Sequence, residues 1–204
     1  MVEVRRFISP EILVEIEADA VIANATAARP PEIIRTARLL LRPPRLDDAA
    51  AIFHAYTRDP DVTRYLVWTP KQSVSEVGDF IRRSMAAWSA GSQFPWVITL
   101  HGSSGPIGMI DLRMAEHAAE IGYVLARAEW NKGYMTEALR AVIDAAIALP
   151  GIYRVWATCD IDNVASARVL EKAGMLREGT LRRAVVHPNL SPEPRDALCY
   201  AITK

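Results

Sequence analysis

The sequence predicts an α+β domain built on a single mixed, mostly antiparallel sheet with flanking helices. Three runs rich in β-formers, "PWVITLH", "PIGMIDLRM" and "AEIGYVLA", follow one another over short connections, the pattern of an antiparallel meander. Two helical stretches precede them, and a strand-helix-strand-helix order follows, so the elements neither alternate strictly nor segregate fully. The chain has 204 residues, half of them hydrophobic. That length suits one compact domain with material left for an appendage.

Residues 1–33 read as that appendage. Val14, Ile16, Ala18 and Ala20 alternate with Glu15, Glu17 and Asp19, a strand period; Ser9-Pro10-Glu11 equally suits a helix start, and both readings stand. Arg5 and Arg6 precede an apolar stretch as in a signal peptide, but the acidic residues from Glu11 to Asp19 break its core. Ala28-Arg29-Pro30-Pro31 then punctuates the chain, and the domain proper is expected over 34–204.

Within it, Leu39 to Arg42 reads as the first strand. Asp47 or Asp48 caps a helix carrying Ala49, Ile52, Phe53 and Tyr56 on one face. Ser73 and Glu76 have capping-box spacing and open a second helix that buries Val77, Phe80, Ile81 and Trp88. The meander follows, with His101 to Gly105 as a hairpin turn. A later helix places Leu139, Ile143, Ala146 and Ile147 on one face and stops at Pro150-Gly151. "YRVWATCD" is a strand, Asp162 or Asn163 caps a short helix ending at Gly174, and two strands finish the chain.

Lysine plus arginine and aspartate plus glutamate number 24 each, so no nucleic acid or membrane surface is expected as the main partner. Cys159 and Cys199 match no metal spacing; two reduced thiols in a cytoplasmic protein is the preferred reading, with a disulfide left open. No metal is implied.

The stretch "EWNKGYMTEA" joins a strand to a helix through Gly133. Such a turn aims unpaired backbone N–H groups, and the helix dipole, at one spot that favours an anion. Gly133 lets the backbone approach a ligand without a Cβ in between. Lys132 adds charge, and Thr136 is a candidate cap. Many strand-helix turns hold a glycine and bind nothing, so this signal is weak alone. The spacing is also not that of a nucleoside-triphosphatase loop.

The order of five stretches is more specific. "TARLLLRPPRLDDA", "AEIGYVL", "WNKGYMTEAL", "DNVASARVLEKAGM" and "RDALCY" together resemble the GNAT N-acetyltransferases, in their RimJ/RimL-like branch. The resemblance spans about residues 35 to 204. It implies the GNAT fold, with a splayed central strand pair, and acetyl-CoA as co-substrate. It further implies acetyl transfer to a primary amine, either a protein N-terminus or a small molecule, by direct attack in a ternary complex. A non-catalytic acetyl-CoA-binding or regulatory module is the alternative, and paired sheet edges make a homodimer an open expectation.

By the same resemblance, Asn131, Lys132, Gly133, Tyr134, Met135 and Thr136 form the pyrophosphate loop. Trp130 and Met135 depart from the usual loop pattern, which matters little where backbone N–H groups make the contacts. Tyr123, Val124 and Leu125 flank the pantetheine, with Asn163 bonding the cofactor or capping its helix. Glu120, at the split, is the first candidate base; Glu178 is second and Asp111 third. Leu170 stands where many relatives carry a tyrosine acid, which leaves Ser166 as the residue to meet the sulfur, or merely to satisfy helix N–H groups. Tyr65, Trp68 and His117 lie in segments that line the acceptor pocket, with core packing as the competing reading.

Overall fold

The computed structural model describes residues 28–103 and 105–204. The strand-or-helix alternative at residues 9–20 lies outside the described residues. Among the described residues eight strands form one sheet in the order β1-β2-β3-β4-β5-β6-β8-β7. They are β1 (Ile34–Arg35), β2 (Leu39–Arg42), β3 (Gln93–Leu100), β4 (Pro106–Met114), β5 (Ala118–Leu125), β6 (Arg154–Asp160), β7 (Leu176–Val185) and β8 (Arg195–Thr203). The helices are α1 (Ala49–Ile52), α2 (Pro60–Thr63), α3 (Val74–Ala90), α4 (Tyr134–Ile147) and α5 (Val164–Lys172). This is the GNAT fold.

The β3-β4-β5 meander forms as the sequence predicts, and every neighbouring pair is antiparallel except β5 and β6. That exception follows from α4, the crossover that returns the chain in the same direction. Only Ala118–Arg154, Ala119–Val155 and Glu120–Trp156 pair across it. Beyond Glu120 the two strands diverge, and the sheet splits.

Each face of the sheet has its own core. Leu139, Val142, Ile143 and Ala146 of α4 and Leu170 of α5 bury against Trp96, Ile110, Ile121 and Val155. On the other face Ile52, Tyr56, Val77 and Ile81 cover Val97 and Met109. At the rim of the larger core Trp88 meets Phe94 and Trp96 edge-on, both at 5.2 Å between ring centroids, a favourable aromatic geometry.

Several local expectations change. Asp48 does not cap α1 with its side chain; its carboxylate instead accepts from the Arg42 guanidinium and the Arg45 amide. Burial alone would raise that carboxyl, but the Arg42 hydrogen bonds and the neighbouring charges hold it low. α2 was not anticipated, although Asp59-Pro60 carries its start signal: the Asp59 carboxylate accepts from Asp61 N at 2.9 Å and proline takes the first helical position. Thr136 sits inside the first turn of α4, whose cap is Gly133. By contrast Ser73 and Asn163 cap α3 and α5 as expected, each accepting from the amide three residues on.

Residues 28–33, counted with the appendage, include contacts to the domain. Arg29 donates to the carbonyls of Trp88 and Ser89 at the end of α3, and Trp96 Nε1 donates to Pro31 and Glu32 carbonyls.

Candidate active site

The split opens into a cleft of ≈ 1580 Å³ that reaches from the α4 N-terminus to the segment between α2 and α3. At its α4 end the loop turns through left-handed backbone. Trp130 Nε1 donates to Leu125 O at 2.9 Å, pinning the loop to the end of β5. Asn131 and Gly133 then take left-handed φ of 61° and 78°, a conformation glycine adopts freely. The amides of Tyr134, Met135 and Thr136 begin the helix and have no helical carbonyl behind them. Lys132 Nζ pairs with Glu129 at 3.1 Å.

Sequence reasoning missed a second cation here. Arg38, from "TARLLLRP", donates to Lys132 O at 2.9 Å, pairs with Glu137 at 2.6 Å and lies over the Tyr134 ring. Arg38, Arg140, Arg168 and Lys172 all line this flank of the cleft. Exposed amides, a helix N-terminus and four guanidinium or ammonium groups fit a polyphosphate, so the residues present suit the acetyl-CoA that the sequence implies.

Deeper in the split, the Tyr123 hydroxyl lies 2.6 Å from Ser166 Oγ and 3.3 Å from Ser166 O. This bond ties β5 to the first turn of α5 across the opening. Burial raises the Tyr123 hydroxyl well above its ordinary range, with the Ser166 bond only partly offsetting it; it stays protonated at neutral pH. Cys159, at the end of β6, is buried, and burial pushes its thiol up to about 11. It is neutral and a poor nucleophile.

Where β5 leaves β6, Glu120 faces the cleft with one carboxylate oxygen 3.1 Å from Arg113 Nη1. The same guanidinium bonds Asp111 at 3.0 Å, and Gln93 donates to that carboxylate as well. Burial pushes the Asp111 carboxyl up, against the lowering effect of Arg113 and Gln93. Gly122 makes the cluster possible, because a Cβ there would lie 2.6 Å from Arg113 Nη2 and 2.8 Å from Asp111 Oδ1.

Tyr65 and Trp68 line the far wall of the cleft. Arg64 stacks on Tyr65 and Lys71 on Trp68. The wall is fastened from behind: Asn189, in the β7–β8 connection, donates to Thr63 O at 2.7 Å and Trp68 O at 2.8 Å. Two residues earlier His187 lines the same cleft, 4% exposed, with neither ring nitrogen hydrogen-bonded among the described residues. Its Nε2 stands 3.6 Å from Asp160 Oδ2.

Thus the structure brings Glu120, Tyr123, Val124, Leu125, Asn163, Ser166, the 131–136 loop, Tyr65 and Trp68 to one cleft. It sets two expected residues apart. Glu178 sits on β7 at a register shift and is held by both Arg154 nitrogens, which lower its carboxyl; it is not a lining residue. His117 is exposed in the β4–β5 turn, at the closed end of the split, where its carbonyl accepts from Tyr153 N. Among the described residues no helix is long and apolar enough to cross a membrane.

Residues 38–176 match a family model described as an acetyltransferase (GNAT) domain. The chain belongs to the GNAT acetyltransferases. It is an acetyl-CoA-dependent N-acetyltransferase. Among curated proteins it is 31% identical to the uncharacterized N-acetyltransferase YoaA of Bacillus subtilis, over 84% of this chain and 97% of that one. Among solved structures it resembles a GNAT-family acetyltransferase from Bacillus anthracis, 32% identical with a TM-score of 0.73, over 84% of this chain and 98% of that one. RimJ from Mycobacterium smegmatis, solved in complex with CoA-disulfide, is 27% identical with a TM-score of 0.72 and covers 81% of each chain.

Proposed function

We propose that this GNAT enzyme acetylates a primary amine by direct attack, with both substrates bound at once. The observation that carries the reading is the β5–β6 split. It is open to the Gly133 loop at one end and to the Tyr65–Trp68 wall at the other, within one continuous cleft. Acetyl-CoA supplies an activated acyl group on a thioester. The 131–136 loop and the basic flank hold its phosphates, and Tyr123 with Ser166 stands ready to give a proton to the departing thiolate. The neutral, buried Cys159 supports direct attack over an acyl-cysteine route.

The acceptor is a protein N-terminus or a small amine that meets the acyl carbon from the Tyr65–Trp68 side. Thiol release from acetyl-CoA against a panel of N-terminal peptides and small amines tests this. Intersecting initial-rate lines are expected when both substrates are varied. Parallel lines, the pattern of a covalent acyl-enzyme, would overturn the ternary complex.

A further inference from the structure

The acceptor amine enters as an ammonium at neutral pH and must lose a proton before its nitrogen can attack. Glu120 is in the cleft, but the Arg113 guanidinium already engages its carboxylate, as it engages Asp111. That bond commits one Glu120 oxygen to a charged partner. His187 differs. It is buried, lines the cleft and has two ring nitrogens that are unbonded among the described residues, and a buried polar group without a partner burdens the fold. A fold that keeps one in a substrate cleft keeps it for a ligand.

What surrounds the ring decides its orientation. Asp160 ends β6 fully buried, its carboxylate held by Arg195 Nε at 2.6 Å and Nη2 at 3.1 Å and by the Asp162 amide at 2.9 Å. Fixed in this way, Asp160 Oδ2 faces His187 Nε2 at 3.6 Å, beyond a hydrogen bond yet close enough to favour a proton on that nitrogen. Nδ1 is then left with its lone pair. Asp162 and Arg195 are the other charged groups of this cluster. From the opposite wall the Tyr65 hydroxyl reaches the Asp162 carbonyl at 3.4 Å.

We propose that His187 is a catalytic residue that takes the proton from the acceptor ammonium, with Asp160 as its positioning residue. The inference rests on the acetyl-transfer reading above. The ammonium N–H proton passes to His187 Nδ1. The freed nitrogen lone pair bonds to the acyl carbon, the carbon–sulfur bond breaks with its electron pair leaving on sulfur, and the now cationic nitrogen gives up a second N–H proton to solvent. The thiolate takes a proton from the Tyr123–Ser166 pair, which regains one from solvent, and the imidazolium returns its proton to solvent. The sum is ammonium plus thioester giving amide, thiol and one proton. Asp160 faces the transient imidazolium throughout, an orienter behind a base.

The test begins with wild-type enzyme and an acceptor that supports thiol release, which establishes the acetyl-transfer reading independently. With that acceptor, His187→Ala should lower kcat/KM by about 10²-fold or more, the size usual for loss of a general base. Acetyl-CoA affinity by calorimetry should be unchanged, and free imidazole should restore part of kcat. His187→Gln, closer in volume, should be as slow but without imidazole rescue, and it serves should the alanine variant fail to fold. Glu120→Gln should lose less than either. Asp160→Asn should lower kcat with the acceptor KM and acetyl-CoA affinity near wild type, because the imidazole loses its orienting partner; a merely structural role would raise KM along with the loss of kcat. A folded His187→Gln enzyme with kcat/KM near wild type would overturn the proposal, as would a Glu120→Gln loss exceeding that of His187→Ala.

Discussion

Replacing Gly133 with valine isolates the contribution of the loop backbone. Gly133 has φ of +78°, and among the described residues the only atom that an added Cβ would approach is Arg38 Nη2, at 3.4 Å. That atom ends a flexible side chain and can step aside, so the cost is conformational and not a collision. Holding an L-residue left-handed costs about 1–2 kcal/mol, which for a domain of this size lowers Tm by about 2–8 °C. If the chain relaxes instead to negative φ, the amides from Gly133 onward turn away from their common target. Hydrogen bonds to a charged group contribute about 1.5–3 kcal/mol each. Losing two would therefore weaken acetyl-CoA binding by roughly 10²- to 10⁴-fold. Calorimetry with CoA and thermal denaturation of the same preparation measure the two effects separately. Gly151→Val is the matched control, since Gly151 has φ of +80°, open space around it among the described residues and no place in the cleft. It should lose similar stability and keep its affinity. A folded Gly133→Val protein with wild-type affinity, or equal loss of affinity in Gly151→Val, would refute the reasoning.

Three further expectations follow from the packing. Gly122→Ala should force apart the Asp111–Arg113 pair, whose atoms lie within 2.8 Å of the new Cβ. Its kcat/KM for the acceptor should fall several-fold with CoA affinity kept, and equal loss of both would place the cluster at the cofactor instead. Alkylation of Cys159 by iodoacetamide should be slow and still accelerating at pH 10, because burial pushes the thiol up to about 11; a rate plateau near pH 8 would contradict this. Asp48, held low by Arg42 against the opposing effect of burial, contributes stability that is present above the ordinary carboxyl value of 3.8 and is lost as pH falls through its lower folded value. Asp48→Asn should cost about 2–4 kcal/mol at pH 7, allowing for partial exposure, and flatten the acid limb of stability below about pH 4; denaturant titrations at pH 7 and pH 3 check both.

What could be read from the sequence were the features whose signals are local. The meander, the caps at Ser73 and Asn163 and the glycine turn at Gly133 each occupy a few consecutive residues and carry their own chemistry. The features that escaped join distant segments. Arg38 meets Glu137 across 99 positions, and Asn189 meets Trp68 across 121, and no periodicity reports such meetings. Glu178, which lies outside the cleft, depends on register. In a strand a slip of one residue reverses which face a side chain occupies, and β7 shifts register between Arg177 and Gly179. Gly179, a lone glycine inside a strand, is the one local mark of that bulge. His187 lay in a loop with no pattern at all; only burial and an empty hydrogen-bonding shell single it out.

The Asn189 clasp has a consequence for how this enzyme can change. Its amide grips the carbonyls of Thr63 and Trp68, which every residue possesses, and ignores the side chains between them. Tyr65, Leu66, Val67 and Trp68 can therefore be exchanged for others without loosening the attachment. The wall behaves as an interchangeable panel on a fixed hinge plate: its chemistry is free to drift towards new acceptors, while the frame behind it keeps His187 in register with the split.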